Sequence, residues 1–480
     1  MPLFFRNAQL IVLLNLSILF STTFPEIEQY SLDNGIKIIL SPSYDVKYVN
    51  VSFLYNHGFA DQATDEKMHE TIERVSGVYL NPRTARKTFD ILKDFDSMGT
   101  TGRIFSGNFG QTFSIVSEQI LADDLGKMLT LTKEIFSESK EKKDKPVIVQ
   151  RFMNFFLSGA KAWGADLGVS NSVIAKMHIL SMIYDGPMIR YNPKNINGWD
   201  RYVKWKRSMF GPENLTIMIS GNINIGYTKL LLEQTYGDVS PEKYTPAIMN
   251  RFEPTNYKGA RFIEHSHYLT DRGDNKILIA LGSPAPAYNA EDHYPYLLAY
   301  KFFFDDSSGL LATLLDEGVQ DRDYFLESGG KVYDYSTRMP FMFFALTVDT
   351  VNADSTFFAI SKPVQDLIDR GMTDDELSIA KEIIYNETIT AYYNPHSFSH
   401  HVLKRFSNDY NVKSMEDELD RFDSVRIDDI NRVLKKYFNL NDFSIVVMGD
   451  TDQEFKFLQN YTPIEYVDRY GSPLVTKESK

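Results

Sequence analysis

Two hydrophobic periodicities alternate along this chain. Runs rich in β-branched and aromatic residues, Tyr48–Tyr55, Leu215–Ile219, Lys276–Gly282, Phe341–Val348 and Phe443–Met448, are set off by turn residues and read as strands. Leu32-Asp33-Asn34-Gly35 reads as a turn feeding a further strand through Leu40, and Ile104–Val116 as a pair of strands around Gly107 and Gly110. Between them, Met68–Tyr79, Phe89–Met98, Ala122–Phe136, Tyr294–Phe304 and Leu310–Glu317 read as helices. Thr373-Asp-Asp-Glu376 is a capping-box start to a long helix through Tyr393, with Pro395 as its stop.

The pattern repeats. Asp200–Phe210 followed by Gly211–Gly221 matches Asp428–Phe438 followed by Asn439–Gly449, always 228 residues apart (200 and 428, 221 and 449). In each copy a basic amphipathic helix ends at Phe, an Asn-bearing turn follows, and an apolar strand runs into Gly-Asn or Gly-Asp. The expected architecture is α+β: two homologous α/β halves, each a mostly antiparallel sheet with helices packed on it, joined around Pro241–Pro254. The expected boundaries are a signal segment 1–24, a first domain 25–240, a linker 241–258 and a second domain 259–480.

Length and composition narrow the function. At 480 residues and 43% hydrophobic, the chain can bury two cores. Its balance of 51 Lys+Arg against 64 Asp+Glu, a net charge of −13, argues against nucleic acid as a partner. The absence of cysteine excludes disulfides, thiolate zinc sites and cysteine nucleophiles. Met1–Asn7 carries one Arg and no acid, Leu10–Phe20 is mostly apolar, and small residues precede Pro25, the outline of a signal peptide too short for a stable membrane span. The expected localisation is therefore exported, periplasmic or secreted. No glycine-rich phosphate loop and no Gly-x-Ser-x-Gly elbow occur.

The candidate chemistry lies in Met68–Tyr79. Read as a helix, it sets Glu70, Glu73 and Arg74 on one face. A zinc peptidase of the inverted-motif type needs His-x-x-Glu-His there, two imidazoles for the metal and a carboxylate for the water. This chain has Glu70-x-x-Glu73-Arg74. With the Leu-Asp-Asn-Gly strand, the Gly58-x-x-Asp61 loop, the Pro-Glu-Asn to Ser-Gly-Asn end of the first half, Ser307-Ser308-Gly309-Leu310, Asp375-Glu376-Leu377-x-x-Ala380-Lys381 and Val447-Met-Gly-Asp450, the mature chain resembles the pitrilysin/insulinase family of inverted-motif zinc metallopeptidases, to which the mitochondrial processing peptidase belongs. The resemblance implies a clamshell of two α/β halves that takes peptides in extended form.

Carried over residue by residue, the resemblance places Glu70 and Arg74 at the two histidine positions, Glu73 at the general-base position, and Arg151 at the distal glutamate position. Guanidiniums repel zinc, so no cofactor is expected in this chain, and zinc is expected in a partner. Two acids and two bases would instead form a neutral cluster between two helices. The family's carbonyl-holding Arg and Tyr fall near Leu315–Tyr324, where Arg322 and Tyr324 are candidates for substrate binding. Arg103–Ser106 lies where the family pairs substrate along an edge strand, either an open edge or a capped one. His265-x-His267 and His400-His401 are either metal-binding or structural, with no third ligand in register.

The implied function is a non-catalytic peptidase homologue, a helper subunit that completes a peptide-binding chamber with a zinc-bearing homologue or a second copy of itself. A stand-alone peptide-binding scaffold, and an active zinc metalloendopeptidase with differently placed ligands, are the alternatives.

Overall fold

The computed structural model describes residues 25–56, 58, 88–100, 106–109, 112–137, 171–184, 211–241, 252–255, 258–264, 276–305, 309–310, 331–408, 416–449, 454–468, 471 and 473–474. The first sheet contains β1 (Glu28–Ser31), β2 (Lys37–Pro42), β3 (Tyr48–Tyr55), β4 (Ser106–Phe109), β5 (Ser114–Leu121) and β6 (Leu215–Gly221), in the order β1-β2-β6-β3-β5-β4. The second contains β7 (Ala260–Glu264), β8 (Lys276–Pro284), β9 (Lys331–Asp334), β10 (Phe341–Asp349), β11 (Ser444–Gly449) and β12 (Ile464–Val467), in the order β12-β7-β11-β8-β10-β9. Five positions correspond, down to the parallel pairs β2 with β6 and β7 with β11 among otherwise antiparallel neighbours. The sixth differs, since β1 runs antiparallel to β2 whereas β12 runs parallel to β7.

The 228-residue spacing read from the sequence recurs in three dimensions. Short 3-10 turns at 122–124 and 350–352, and at 212–214 and 440–442, keep it, as do the strand ends Gly221 and Gly449. Gly221 has φ of +113°, and a Cβ there would lie 2.4 Å from the Tyr48 carbonyl oxygen, so this strand end requires glycine.

The helices are α1 (Thr88–Ser97), α2 (Leu125–Ser137), α3 (Asn171–Ile183), α4 (Ile225–Tyr236), α5 (His293–Phe304), α6 (Ala353–Arg370), α7 (Asp374–Tyr392), α8 (Pro395–Phe406), α9 (Glu416–Ser424) and α10 (Ile427–Tyr437). The capping box before α7 forms: the Thr373 hydroxyl accepts from the Glu376 amide and the Glu376 carboxylate from the Thr373 amide. Pro395 is more than a stop. It is the first residue of α8, where its missing N–H costs nothing, and Asn394 caps the amides of His396 and Ser397. The helix expected at Leu310–Glu317 lies, beyond Leu310, outside the described residues, as do the Met68–Tyr79 and Asp200–Phe210 helices and the signal segment.

Helices α1, α2 and α4 cover one face of the first sheet, packing Ile91, Phe95, Leu129 and Tyr236 onto Ile38, Val51, Phe53 and Ile217. Helices α5, α6, α7, α9 and α10 do the same for the second. Each sheet's opposite face is covered by a helix from the other half. The first-half helix α3 lies on β8, β11 and β10, and the second-half helix α8 lies on β3, β6 and β5.

Candidate functional site

Every residue that the family resemblance places in the peptidase site, Glu70, Glu73, Arg74, Arg103, Arg151, Arg322 and Tyr324, lies outside the described residues, as do His265 and His267. The second copy supplies the geometry of the corresponding helices. At the 228-residue spacing, α5 answers to 65–76, which holds Glu70, Glu73 and Arg74, and α7 to 146–164, which holds Arg151. Helix α5 packs on α7 through an apolar seam containing Leu298 and Phe302 from one side and Leu377, Ala380 and Ile384 from the other. One ion pair, Lys301 to Glu387 at 2.6 Å, closes its rim. Lys301 stands where Glu73 stands in the first copy. The two helices are thus held by burial and a rim charge pair.

A buried charged cluster joins α8 to α9. Arg405 and Glu418 form a salt bridge with side chains only 6% and 3% exposed, and His401 Nε2 lies 3.7 Å from the same carboxylate oxygen. Burial works against the Glu418 carboxylate, but the Arg405 guanidinium and His401 outweigh it and hold it at about 2. Burial, reinforced by Arg405, pushes His401 down to about 4, and burial also takes neighbouring His400 to about 4. At neutral pH the acid is ionised and both imidazoles are neutral, so none of the three is poised to exchange a proton. No group of three or more metal-ligating side chains occurs among the described residues. His401 thus lies beside the Arg405–Glu418 ion pair.

A second polar cluster sits where the halves meet. Thr112, in the loop after β4, donates to Ser336, in the loop after β9, at 2.7 Å, or accepts from it. Arg338 donates to the Thr112 carbonyl at 2.9 Å, and burial lowers its guanidinium to about 10. Asp334 accepts from the Ser336 amide at 2.9 Å, its carboxyl raised by burial against the pull of Ser336, Lys404 of α8 and Lys176 of α3. Both exchanged helices thus bring a cation to one carboxylate.

Among the described residues, β4 is the last strand of its sheet, and it begins at Ser106, the end of the stretch expected to pair substrate. Sequence reasoning missed the Arg405–Glu418 pair because its members are 13 residues apart on separate helices. The basic end of Lys404-Arg405 reads as solvated charge until the fold buries Arg405.

The comparisons with known proteins agree with this layout. No curated protein sequence matches the chain. Residues 200–384, under half of its length, match the family described as Peptidase M16 inactive domain, a span from β6 through α6 and into α7. Residues 200–384 are thus homologous to that domain of the M16, or pitrilysin/insulinase, peptidases. The chain shares its fold with a protease from Helicobacter pylori, with a TM-score of 0.72 and 16% identity over 88% of this chain and 99% of that one. A peptidase M16 inactive domain from Pseudomonas fluorescens gives 0.70 and 14% over 89% and 98%. The periplasmic protease PqqL from Escherichia coli gives 0.68 and 11%, covering 90% of this chain but 46% of PqqL, so the chain spans about half of that protein. At such identities the likeness shows the fold alone, and that fold is the mixed α/β pair of halves expected from the repeat.

Proposed function

We propose that this chain is a non-catalytic helper subunit that pairs with a zinc-bearing relative, completes its peptide chamber and contributes an edge for extended peptides. The observation that carries the reading is the donor set. At the family's three ligand positions stand Glu70, Arg74 and Arg151, and two guanidiniums beside a carboxylate do not fit a zinc ion. The edge position of β4 supports peptide pairing by strand addition, since an edge strand offers unpaired backbone groups. Export to the periplasm or beyond is supported by the apolar run Leu10–Phe20 and by the shared fold of PqqL, a periplasmic protease.

The test is metal content and peptide hydrolysis of the purified chain, alone and added to source lysate depleted of it. The expected result is a metal-free, inert chain that restores a chelator-sensitive peptidase activity to the lysate. Stoichiometric zinc with activity alone would make it an enzyme, and inertness in both settings would leave a stand-alone scaffold. Within the same reading, Arg151→Ala is expected to lower stability, because Arg151 replaces the distal ligand as the cation facing Glu73; an unchanged denaturation midpoint would remove the ion-pair substitute from the proposal.

A further inference from the structure

The first sheet brings four exposed hydrophobic side chains to one pole of the first half. Strands β2, β5 and β6 all end there: Pro42 pairs with Gly221, and Gly221 and Leu121 pair with Val49 and Tyr48 of β3. The β2–β3 turn therefore carries Tyr44 to this pole, and its Ser43 amide donates to the Gly221 carbonyl at 2.7 Å. Helices α2 and α4 both start from it, one soon after Leu121 and one after the Asn224 cap. They run side by side, Leu231 packing against Gly126 at the near end and Tyr236 meeting Thr132 farther along. Tyr44 is 72% exposed, Leu121 58%, Tyr227 60% and Leu230 53%. These are half of the eight large hydrophobic residues that are exposed among the described residues.

The chain also enters the first half at this pole. Strand β1 runs antiparallel to β2, with Glu28 opposite Leu40, so the residues before Glu28 come from the level of Pro42 and Gly221. Lys229 of α4 bridges to Glu28 and stands over the Tyr30 ring, which sets the entering strand against the helix that carries Tyr227 and Leu230. The apolar run Leu10–Phe20 ends eight residues ahead of Glu28 (28 − 20), a tether of at most about 28 Å. The second half differs at the matching positions. At the 228-residue spacing Leu121 answers to Asp349, and Tyr227 and Leu230 answer to the buried Phe455 and Leu458. Exposed charge at the pole is of both signs, Glu26, Asp45 and Asp123 beside Lys47 and Lys127, a mixture that does not favour a polyion.

We propose that this pole is a membrane-facing surface: residues 1–24 stay attached, the apolar run Leu10–Phe20 enters the lipid, and Tyr44, Leu121, Tyr227 and Leu230 rest in the interfacial layer of the same neutral bilayer. The run has 11 residues, about half of the ~20 that a spanning helix needs, so alone it holds weakly. Attachment becomes stable when two weak contacts act together, and the folded pole supplies the second within reach of the first. Its side chains suit the task. Tyrosine sets an apolar ring at the edge of the hydrocarbon and its hydroxyl among the headgroups, and leucine adds apolar area. Attachment at this pole is independent of the helper-subunit reading, since it concerns where the chain is held and not what a chamber binds.

The test uses the full chain and exploits its lack of cysteine. Tyr227→Cys gives a single site for an environment-sensitive dye, and Glu213→Cys is the control, since Glu213 is exposed just before the opposite end of β6. On vesicles of phosphatidylcholine and phosphatidylethanolamine, the dye at 227 is expected to shift to the blue and to be quenched by spin-labelled lipid, while the dye at 213 does neither. A dye at 227 that stays as wet as the one at 213 would mean that only the N-terminal run touches lipid, and the proposal fails. In flotation, Tyr227→Ser with Leu230→Ser should lower the bound fraction of the chain, and high salt should leave that fraction unchanged. An unchanged bound fraction in this double variant, or a need for anionic lipid, would overturn the proposal. So would a concentration-dependent dimer that the variant abolishes while vesicles stay bare, or a chain recovered from its source cells without residues 1–24 and away from membranes.

Discussion

At the scale of single residues, the buried Arg405–Glu418 pair is costly to break. Two charges removed from water are sustained by each other and by the His401 carbonyl, which accepts from Arg405 at 3.0 Å. Arg405→Ala leaves a buried carboxylate uncompensated, and a loss of about 3–5 kcal/mol in unfolding free energy is expected by denaturant titration. The double change Arg405→Met with Glu418→Leu should recover most of that loss, because it removes both desolvation penalties and keeps the volume. If the double variant is as unstable as the single one, the pair is not the origin of the effect.

Secondary-structure elements owe their ends to short-range chemistry. Helix α7 begins where Thr373 and Glu376 satisfy each other's backbone amides, and Arg370 bridges to Glu376 at 2.6 Å, tying the end of α6 to the start of α7. Thr373→Ala is expected to cost about 1 kcal/mol by the same titration, since one amide of the first turn loses its acceptor. Helix α4 is anchored differently: Tyr236 is fully buried and its hydroxyl meets Thr132 of α2 at 2.8 Å. Tyr236→Phe should cost roughly 0.5–1.5 kcal/mol, the net worth of one buried hydrogen bond.

For the whole molecule, the titration of buried groups sets how stability responds to acid. His293, His400 and His401 are held at about 3, 4 and 4, below the ordinary 6.5 of an unfolded histidine. Between those values the unfolded chain binds protons that the folded chain refuses, so stability falls as pH drops from 6.5 toward 4. Glu418, held at about 2 against an ordinary 4.5, adds a second loss between 4.5 and 2, as its favourable ionised state is titrated away. Unfolding midpoints measured from pH 7 to pH 3 should therefore fall in two overlapping steps. The first step should shrink in His401→Gln, and a flat profile between pH 6.5 and 5 would contradict the burial of these imidazoles.

The sequence determined by itself the local and periodic features of this protein. The 228-residue repeat, the central strands β3, β6, β8, β10 and β11, the helices α1, α2, α5, α7 and α10 and the capping box at Thr373 were legible because each is encoded in side-chain periodicity or in a turn a few residues long. The assignment of Glu70, Arg74 and Arg151 to ligand positions rests on the family resemblance, and these three lie outside the described residues. Helix α3 was not legible, because it is apolar on nearly every side and so lacks the two-faced pattern of a surface helix, and α6 carries Pro363 in its interior. The short strands β1, β7 and β12 have too few residues to show a period. Only the tertiary structure decided that α3 and α8 trade places between the halves and that Arg405 and Glu418 are buried together. Those facts depend on which surfaces remain uncovered once both sheets have formed, and no local stretch of sequence carries that information.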